Sequence, residues 1–260
     1  MELSIKGRNA LITGGSLGIG RAIAKAFVEA GANVAIVARR QDALDDAKAE
    51  IGTAGDGKVV TISADIATAK GCADAFTQAE QALGSVDVLV NNAGSSARSP
   101  FPDITDEDWQ ADIDLKLFAA IRLGRLAFPE MKARKWGRII NVLNTGAKAP
   151  PAEGAPTAVT RAAGMALTKV LAGEGAAANV LVNSLHVGRI ESDQWVKRHA
   201  AENKGRSLEE FYEEMGATLP MGRVGTAQEF ANAAVFLASD AGSYITGTAI
   251  NVDGGLSPVV

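Results

Sequence analysis

The stretch Thr13-Gly14-Gly15-Ser16-Leu17-Gly18-Ile19-Gly20 limits what this chain can fold into more than any other. An apolar run, Ala10-Leu11-Ile12, precedes it. A helical pattern follows, with Ile19, Ile23, Ala26, Phe27 and Ala30 on one face. The order is strand, glycine turn, helix. Glycine lets a backbone take the dihedral angles of such a turn and approach a pyrophosphate closely. The free N–H groups and partial positive charge of the helix N-terminus then favour phosphate oxygens. A tight turn with no ligand is the plain alternative, because a glycine triplet alone has low specificity. The flanking strand and helix favour phosphate binding.

The alternation continues down the chain. Gly31 is a natural stop for the first helix, and Asn33 to Ala38 reads as a buried strand ending at Arg39-Arg40. In a dinucleotide fold this strand end faces the adenosine ribose. An acidic residue there would accept from both ribose hydroxyls. Two arginines suit a 2′-phosphate instead, with Ser16 as a further donor. The expected cofactor is therefore NADP(H) in preference to NAD(H). The alternative is two solvated arginines opening an exposed helix. Residues 41–52 read as that helix and Lys58 to Ala64 as a strand ending at Asp65, which could accept from an adenine amino group or cap the next helix. That helix runs from about Thr68 to Leu83, and a strand from Val86 to Val90 leads into Asn91-Asn92-Ala93-Gly94. Strands alternating with helices predict an α/β chain with a doubly wound parallel sheet covered on both faces.

With 260 residues, 47% hydrophobic, the chain can bury a large core, and no linker or low-complexity run divides it, so one domain over 1–260 is expected. A formal charge of −4 speaks against a general nucleic-acid binder. The single cysteine, Cys72, excludes an internal disulfide framework and reads as a packed hydrophobe. No apolar stretch is long enough to span a bilayer, and Met1 to Lys6 lacks the apolar core of a signal peptide. A cytoplasmic protein without membrane or nucleic-acid partners is expected.

Taken together, the glycine turn, Asn91-Asn92-Ala93-Gly94, Gly222-Arg223-Val224-Gly225 and the stretch from Tyr244 to Gly255 resemble the short-chain dehydrogenase/reductase family along essentially the whole chain. The resemblance implies a Rossmann-type fold, an NAD(P)(H) cofactor and hydride exchange between a nicotinamide and an alcohol or carbonyl. It implies cofactor contacts at Gly14, Ser16, Leu17, Gly18, Ile19, Gly20, Arg39, Arg40, Asp65, Ile66, Asn91, Ala93, Gly94, Arg161, Gly188 and Ile190. It also implies self-association as a homotetramer or homodimer, and no metal.

The family's active site uses Asn, Ser, Tyr and Lys, the last two as Tyr-x-x-x-Lys on one helix face. Here Asn144 stands in the serine place, Thr157 in the tyrosine place and Arg161 in the lysine place, and Asp114 is expected in the asparagine place. All four usual positions thus read as substituted. Thr157 can donate a hydrogen bond but is far too weak an acid to replace a phenol. Asn144 can bond a substrate oxygen. Arg161 can bond ribose hydroxyls but cannot relay a proton. An Asp114–Arg161 ion pair would make two of the changes one. Lys148, in the loop after the fifth strand, and His186, beside Val187-Gly188, are further candidate proton donors, each with a structural alternative. Tyr212 and Tyr244 are the only tyrosines.

Residues 190–220 resemble a substrate-covering segment. Trp195 and His199 share one helix face, and Phe211, Tyr212 and Met215 form another; both suit either a pocket wall or packing of a lid. Glu209, Glu210, Glu213 and Glu214 read as a wet helix face. Thr226 to Glu229 opens a helix as a capping box, Ile245 to Val252 reads as the last strand, and Leu256 to Val260 as an apolar tail suited to a neighbouring subunit. Three functions are compatible: an NADP(H)-dependent oxidoreductase with a non-standard centre, a dinucleotide-binding or regulatory protein without turnover, and a non-redox enzyme on the same fold.

Overall fold

The apolar runs become seven strands: β1 (Asn9–Thr13), β2 (Asn33–Ala38), β3 (Val59–Ser63), β4 (Val88–Asn91), β5 (Gly137–Asn144), β6 (Val180–Val187) and β7 (Ala249–Val252). The computed structural model describes residues 3–202 and 205–260. Met1 and Glu2, and Asn203 and Lys204 of the 190–220 segment, lie outside the described residues. The strands form one sheet in the order β3-β2-β1-β4-β5-β6-β7, every neighbouring pair parallel. β1, β2, β4, β5 and β6 are buried almost throughout, as parallel strands covered on both faces require, whereas the edge strand β3 buries only Ile62 fully.

Helices cover both faces. α1 (Gly18–Glu29), α2 (Gln41–Ile51) and α9 (Ala227–Ala238) lie on one side, where Ile23, Phe27, Leu44, Phe230 and Ala234 build a core. α3 (Ala69–Leu83), α5 (Ala119–Ala133) and α6 (Thr157–Gly175) cover the other, around Cys72, Phe76, Leu123, Met131 and Ala172. Phe27 and Phe230 are both fully buried, so truncating either to alanine costs about 3–5 kcal/mol. Cys72 donates to Ile66 O at 3.1 Å and burial pushes its thiol up to about 11, as a packed, unreactive residue requires.

Local chemistry sets the helix ends. Thr68, not Asp65, caps α3: its hydroxyl accepts from Gly71 N at 2.9 Å, while the Asp65 carboxylate accepts from Ala67 N at 3.1 Å. α9 opens on the expected box of Thr226 and Glu229. The last strand is shorter than its pattern, starting at Ala249, because Gly247 turns the chain with φ +70° and donates to Val182 O. Between α4 (Asp106–Ile113) and α5 the helix widens into a π turn, Asp114–Phe118.

The chain winds from β1 outward to β3 and then returns to start the other half at β4. This reversal leaves a crevice beyond the C-terminal ends of β1 and β4, the place where open parallel sheets bind ligands.

Candidate active site

The glycine turn forms the floor of that crevice. Gly14 and Gly18 have φ of +67° and +52°. A Cβ on Gly20 would stand 2.2 Å from Gly14 O, and one on Gly14 2.9 Å from Asn92 Nδ2. Asn92 ties β4 to the turn, donating through Nδ2 to Thr13 O (2.9 Å) and Gly14 O (3.2 Å). Thr13 Oγ1 accepts from the backbone N–H groups of Asn92 and Ala93, both at 3.0 Å. Asn91 is not on the crevice wall. Its Nδ2 donates to Asn141 Oδ1 at 2.8 Å, bracing β4 against β5, because neighbouring strand residues point to opposite faces.

The cleft measures about 1410 Å³. Gly14, Ser16, Leu17, Gly18, Ile19 and Gly20 line it, with Arg39, Arg40, Asp65 and Ile66 at one end. Ala93, Gly94, Gly188 and Ile190 line its middle, and Asn144, Thr157 and Arg161 its inner end. Of the expected cofactor residues only Asn91 is missing from this wall. Arg39 makes no ion pair among the described residues. Arg40 is 3.9 Å from Asp42, both largely exposed, and so is weakly held.

At the inner end the Thr157 hydroxyl is heavily engaged. It donates to Ala97 O at 2.7 Å and accepts from Ala97 N at 2.9 Å and from Lys116 Nζ at 2.8 Å. Lys116 is buried and ion-paired with Asp112, whose Oδ2 accepts from the Thr160 hydroxyl at 2.6 Å. Burial, helped by the neighbouring Arg161 charge and opposed by Asp112, brings the Lys116 ammonium down from 10.5 to about 8. Arg161 donates through Nη1 to Val142 O at 2.6 Å, and its Nη2 lies over Gly94, where an added Cβ would be 2.4 Å away. Burial lowers its pKa to about 10, which leaves it charged at neutral pH. Arg161 Nε and Asn144 Oδ1 are buried without a hydrogen-bond partner.

Three candidate proton-handling residues lie elsewhere. Asp114 does not reach Arg161. Its oxygens accept from Arg122 Nη2 at 2.8 Å and Gln110 Nε2 at 2.7 Å, and the Gln110 hydrogen bond is the main reason its pKa is lowered. The π turn begins at Asp114 and brings Lys116 inward instead. Lys148 donates to Ala249 O on β7 at 2.5 Å, off the cleft wall. His186 is fully buried, with Nδ1 3.0 Å from Asn144 O and Nε2 3.0 Å from Ser184 Oγ. Burial pushes it down to about 4, so it is a neutral brace for the Asn144 backbone.

α7 (Asp193–Glu202) and α8 (Leu208–Gly216) follow β6. Phe211 packs against His199, with ring centroids 5.5 Å apart, and against Trp195 at 6.4 Å. Thus His199 and Phe211 join the two helices while Trp195 reaches the cleft. Tyr212 is half-buried beside them but off the wall, and Tyr244 is fully exposed. Leu256, Ser257 and Pro258, expected against a neighbouring subunit, line the chain's own cleft; Val259 and Val260 are exposed. Lys116, Asp112, Arg98 and Arg189 escaped the sequence reading; the four-residue spacing of Asp112 and Lys116 was the one available signal.

A parallel sheet of this order with a glycine turn at its switch point defines a dinucleotide-binding α/β class. Residues 14–257 match the family described as enoyl-(acyl carrier protein) reductase. The chain belongs to the short-chain dehydrogenase/reductase family of oxidoreductases. It is 33% identical to an uncharacterized oxidoreductase of Bacillus subtilis, covering 98% of each chain. It is 36% identical to a D-beta-hydroxybutyrate dehydrogenase of Cupriavidus necator, covering 96% of this chain and 98% of that one. The structure of L-sorbose reductase from Gluconobacter frateurii, complexed with NADPH and L-sorbose, matches with a TM-score of 0.95 at 33% identity over 100% of both chains. No helix among the described residues is long and apolar enough to cross a membrane.

Proposed function

We propose that the chain is an NADP(H)-dependent oxidoreductase that exchanges a hydride with a small alcohol or carbonyl compound through a non-standard catalytic centre. The observation that carries this reading is one cleft at the sheet's switch point, floored by the glycine turn and closed at its inner end by Asn144, Thr157 and Arg161, with Lys116 hydrogen-bonded behind Thr157. Arg39 and Arg40 at the far end suit a 2′-phosphate, and the relative bound to NADPH agrees with that preference.

The residues present fit the cofactor: the turn is packed so tightly against itself and Asn92 that only glycine fits at Gly14 and Gly20, Gly14 and Gly18 hold positive φ that brings the backbone to the cleft surface, and the Arg161 guanidinium lines the inner end where ribose hydroxyls would lie. When bound, a reduced nicotinamide supplies the hydride. The chain's own part is to orient and protonate. The Asn144 amide N–H donates to a substrate oxygen, and the Thr157 hydroxyl on the same cleft wall passes that oxygen a proton only in concert with taking one from Lys116, which is the acid. Lys116 Nζ, 2.8 Å behind Thr157, replaces the proton and is buffered close to neutrality for the task. Asp112 keeps Lys116 in place, and residues 190–220 cover the substrate. The exposed apolar residues Leu126, Val159 and Val170 on α5 and α6 suit self-association, which sedimentation would measure.

The test is an equilibrium titration with NADPH and NADH, followed by a carbonyl-substrate screen for NADPH consumption. NADPH-selective binding with consumption supports the reading; binding of neither nucleotide sinks it. One observation favours a second reading, binding without turnover: the hydroxyl proton of Thr157 is directed at Ala97 O, 2.7 Å away. NADPH binding without consumption by any substrate would support that reading.

A further inference from the structure

We propose that the substrate taken by this cleft is an anion, a carbonyl or hydroxy compound bearing a carboxylate or phosphate, held by Arg98 and Arg189 with Arg198 at the entrance. The proposal rests on the oxidoreductase reading above and names its substrate class.

Arg98 sits on the loop after β4 and bridges to Pro156, immediately before Thr157, so it belongs to the inner end of the cleft. Arg189 follows Gly188 at the end of β6 and is half-buried in the same wall. Burial lowers the Arg189 pKa first, and the charges of Arg198 and then Arg98 lower it further. Arg98 and Arg198 are therefore each within electrostatic reach of Arg189. Arg39 and Arg40, the pair suited to a 2′-phosphate, line the cleft with Asp65, at the ends of β2 and β3.

The counter-charge is short. On this part of the wall Asp193 is paired with Lys197 at 2.6 Å, and Arg198 is paired with Glu202 at 3.1 Å. Glu153 also lines the cleft; its backbone carbonyl accepts from Arg98 Nε at 3.4 Å. Arg98 and Arg189 make no ion pair among the described residues. Holding the half-buried Arg189 charge beside the exposed Arg98 and Arg198 charges is costly, and an entering anion offsets that cost. The geometry also favours an anion. Arg189 lies 4.9 Å from the Trp195 ring centroid and Arg198 5.5 Å, so the indole holds both guanidinium groups in place before a ligand arrives. A guanidinium fork matches the paired oxygens of a carboxylate or phosphate.

The experiment adds matched pairs to the NADPH-saturated protein: acetoacetate against its methyl ester, and dihydroxyacetone phosphate against dihydroxyacetone. Tryptophan fluorescence reads binding, with Trp195 as reporter, and NADPH absorbance reads turnover. The anionic member of at least one pair should bind about tenfold to a hundredfold more tightly than its neutral partner. Which pair responds distinguishes carboxylate from phosphate. Arg189→Gln should reduce the preference to less than about threefold, and Arg98→Gln, at an exposed position, supplies the check should the first variant fold poorly. Equal binding of charged and neutral members overturns the proposal, as does a preference unchanged in both variants. Anion preference without NADPH oxidation upholds the ligand class while overturning hydride transfer.

Discussion

Replacing Lys116 by methionine tests the buried network behind Thr157. The Lys116 and Asp112 side chains are 1% and 3% exposed. Methionine fills most of the stem, so little cavity is created. The Asp112 carboxylate, however, would keep only the Thr160 hydroxyl at 2.6 Å and a marginal contact from Thr157 at 3.5 Å. Breaking a buried pair by removing one partner costs about 3–5 kcal/mol. The retained Thr160 bond offsets about 1 kcal/mol, leaving a loss of roughly 2–4 kcal/mol. For a chain this long that is a fall in Tm of roughly 5–15 °C. Asp112→Asn in the Lys116→Met background removes the stranded charge, and a double-mutant cycle by urea unfolding should give a coupling of about 2 kcal/mol or more. A Lys116→Met loss below about 0.5 kcal/mol, the range of ordinary surface changes, would refute the reasoning. The pH dependence has a definite sign. The folded-state pKa of Lys116 is about 8 against an ordinary 10.5, so the unfolded chain binds more protons between those values. This group's contribution to stability is full above 10.5 and is lost as the pH falls through about 8. Carbonyl reduction, which needs Lys116 protonated, should instead decline as the pH rises through about 8. Both features should vanish in Lys116→Met.

His186 gives an acid-side counterpart. Its folded pKa of about 4 lies below the ordinary 6.5, so stability should drop by roughly 3 kcal/mol as the pH falls across that window. Urea midpoints of the parent and His186→Gln, compared through the window, check this. Gly94→Ala should push the Arg161 guanidinium aside, since the new methyl carbon would be 2.4 Å from Nη2; NADPH affinity should fall about tenfold by titration, the loss of one charged hydrogen bond. Arg39→Ala should weaken NADPH about tenfold or more and leave NADH unchanged.

Much of the fold was legible because its signals are local. Apolar runs, glycine stops and capping residues recur on a short scale, and the parallel sheet follows from their alternation. The C-terminal strand was read too long because periodicity does not show that Gly247 turns the chain. The glycine-turn end of the cleft was legible because a turn packed this closely demands glycine at fixed positions. The inner end was less so. The resemblance put Asp114 in the asparagine place, but the structure turns Asp114 toward Arg122 and Gln110 and brings Lys116, two residues further on in the π turn, against Thr157 instead. The direction of Lys148, the enclosure of His186 and the convergence of Arg98 with Arg189 depend on contacts between distant segments. No one-dimensional spacing carries those.

The π turn also changes what it takes to rebuild a tyrosine–lysine centre. Thr157→Tyr with Arg161→Lys supplies the residue types the resemblance calls for, yet Thr157 is only 3% exposed and its hydroxyl is enclosed by Ala97 and Lys116. A phenol there meets the Lys116 ammonium at the base of its ring, and Lys116 stays charged because Asp112 accompanies it. The double variant should therefore show no carbonyl reduction above the parent. Adding Lys116→Asn together with Asp112→Asn shortens one side chain and removes both charges, which frees room for the ring without stranding a carboxylate. Activity should then rise by about a hundredfold or more, the scale of a positioned general acid. Turnover in the double variant would show that Lys116 is no obstacle. No gain in the quadruple variant, if it still binds NADPH, would move the limit from the missing acid to the shape of the substrate pocket.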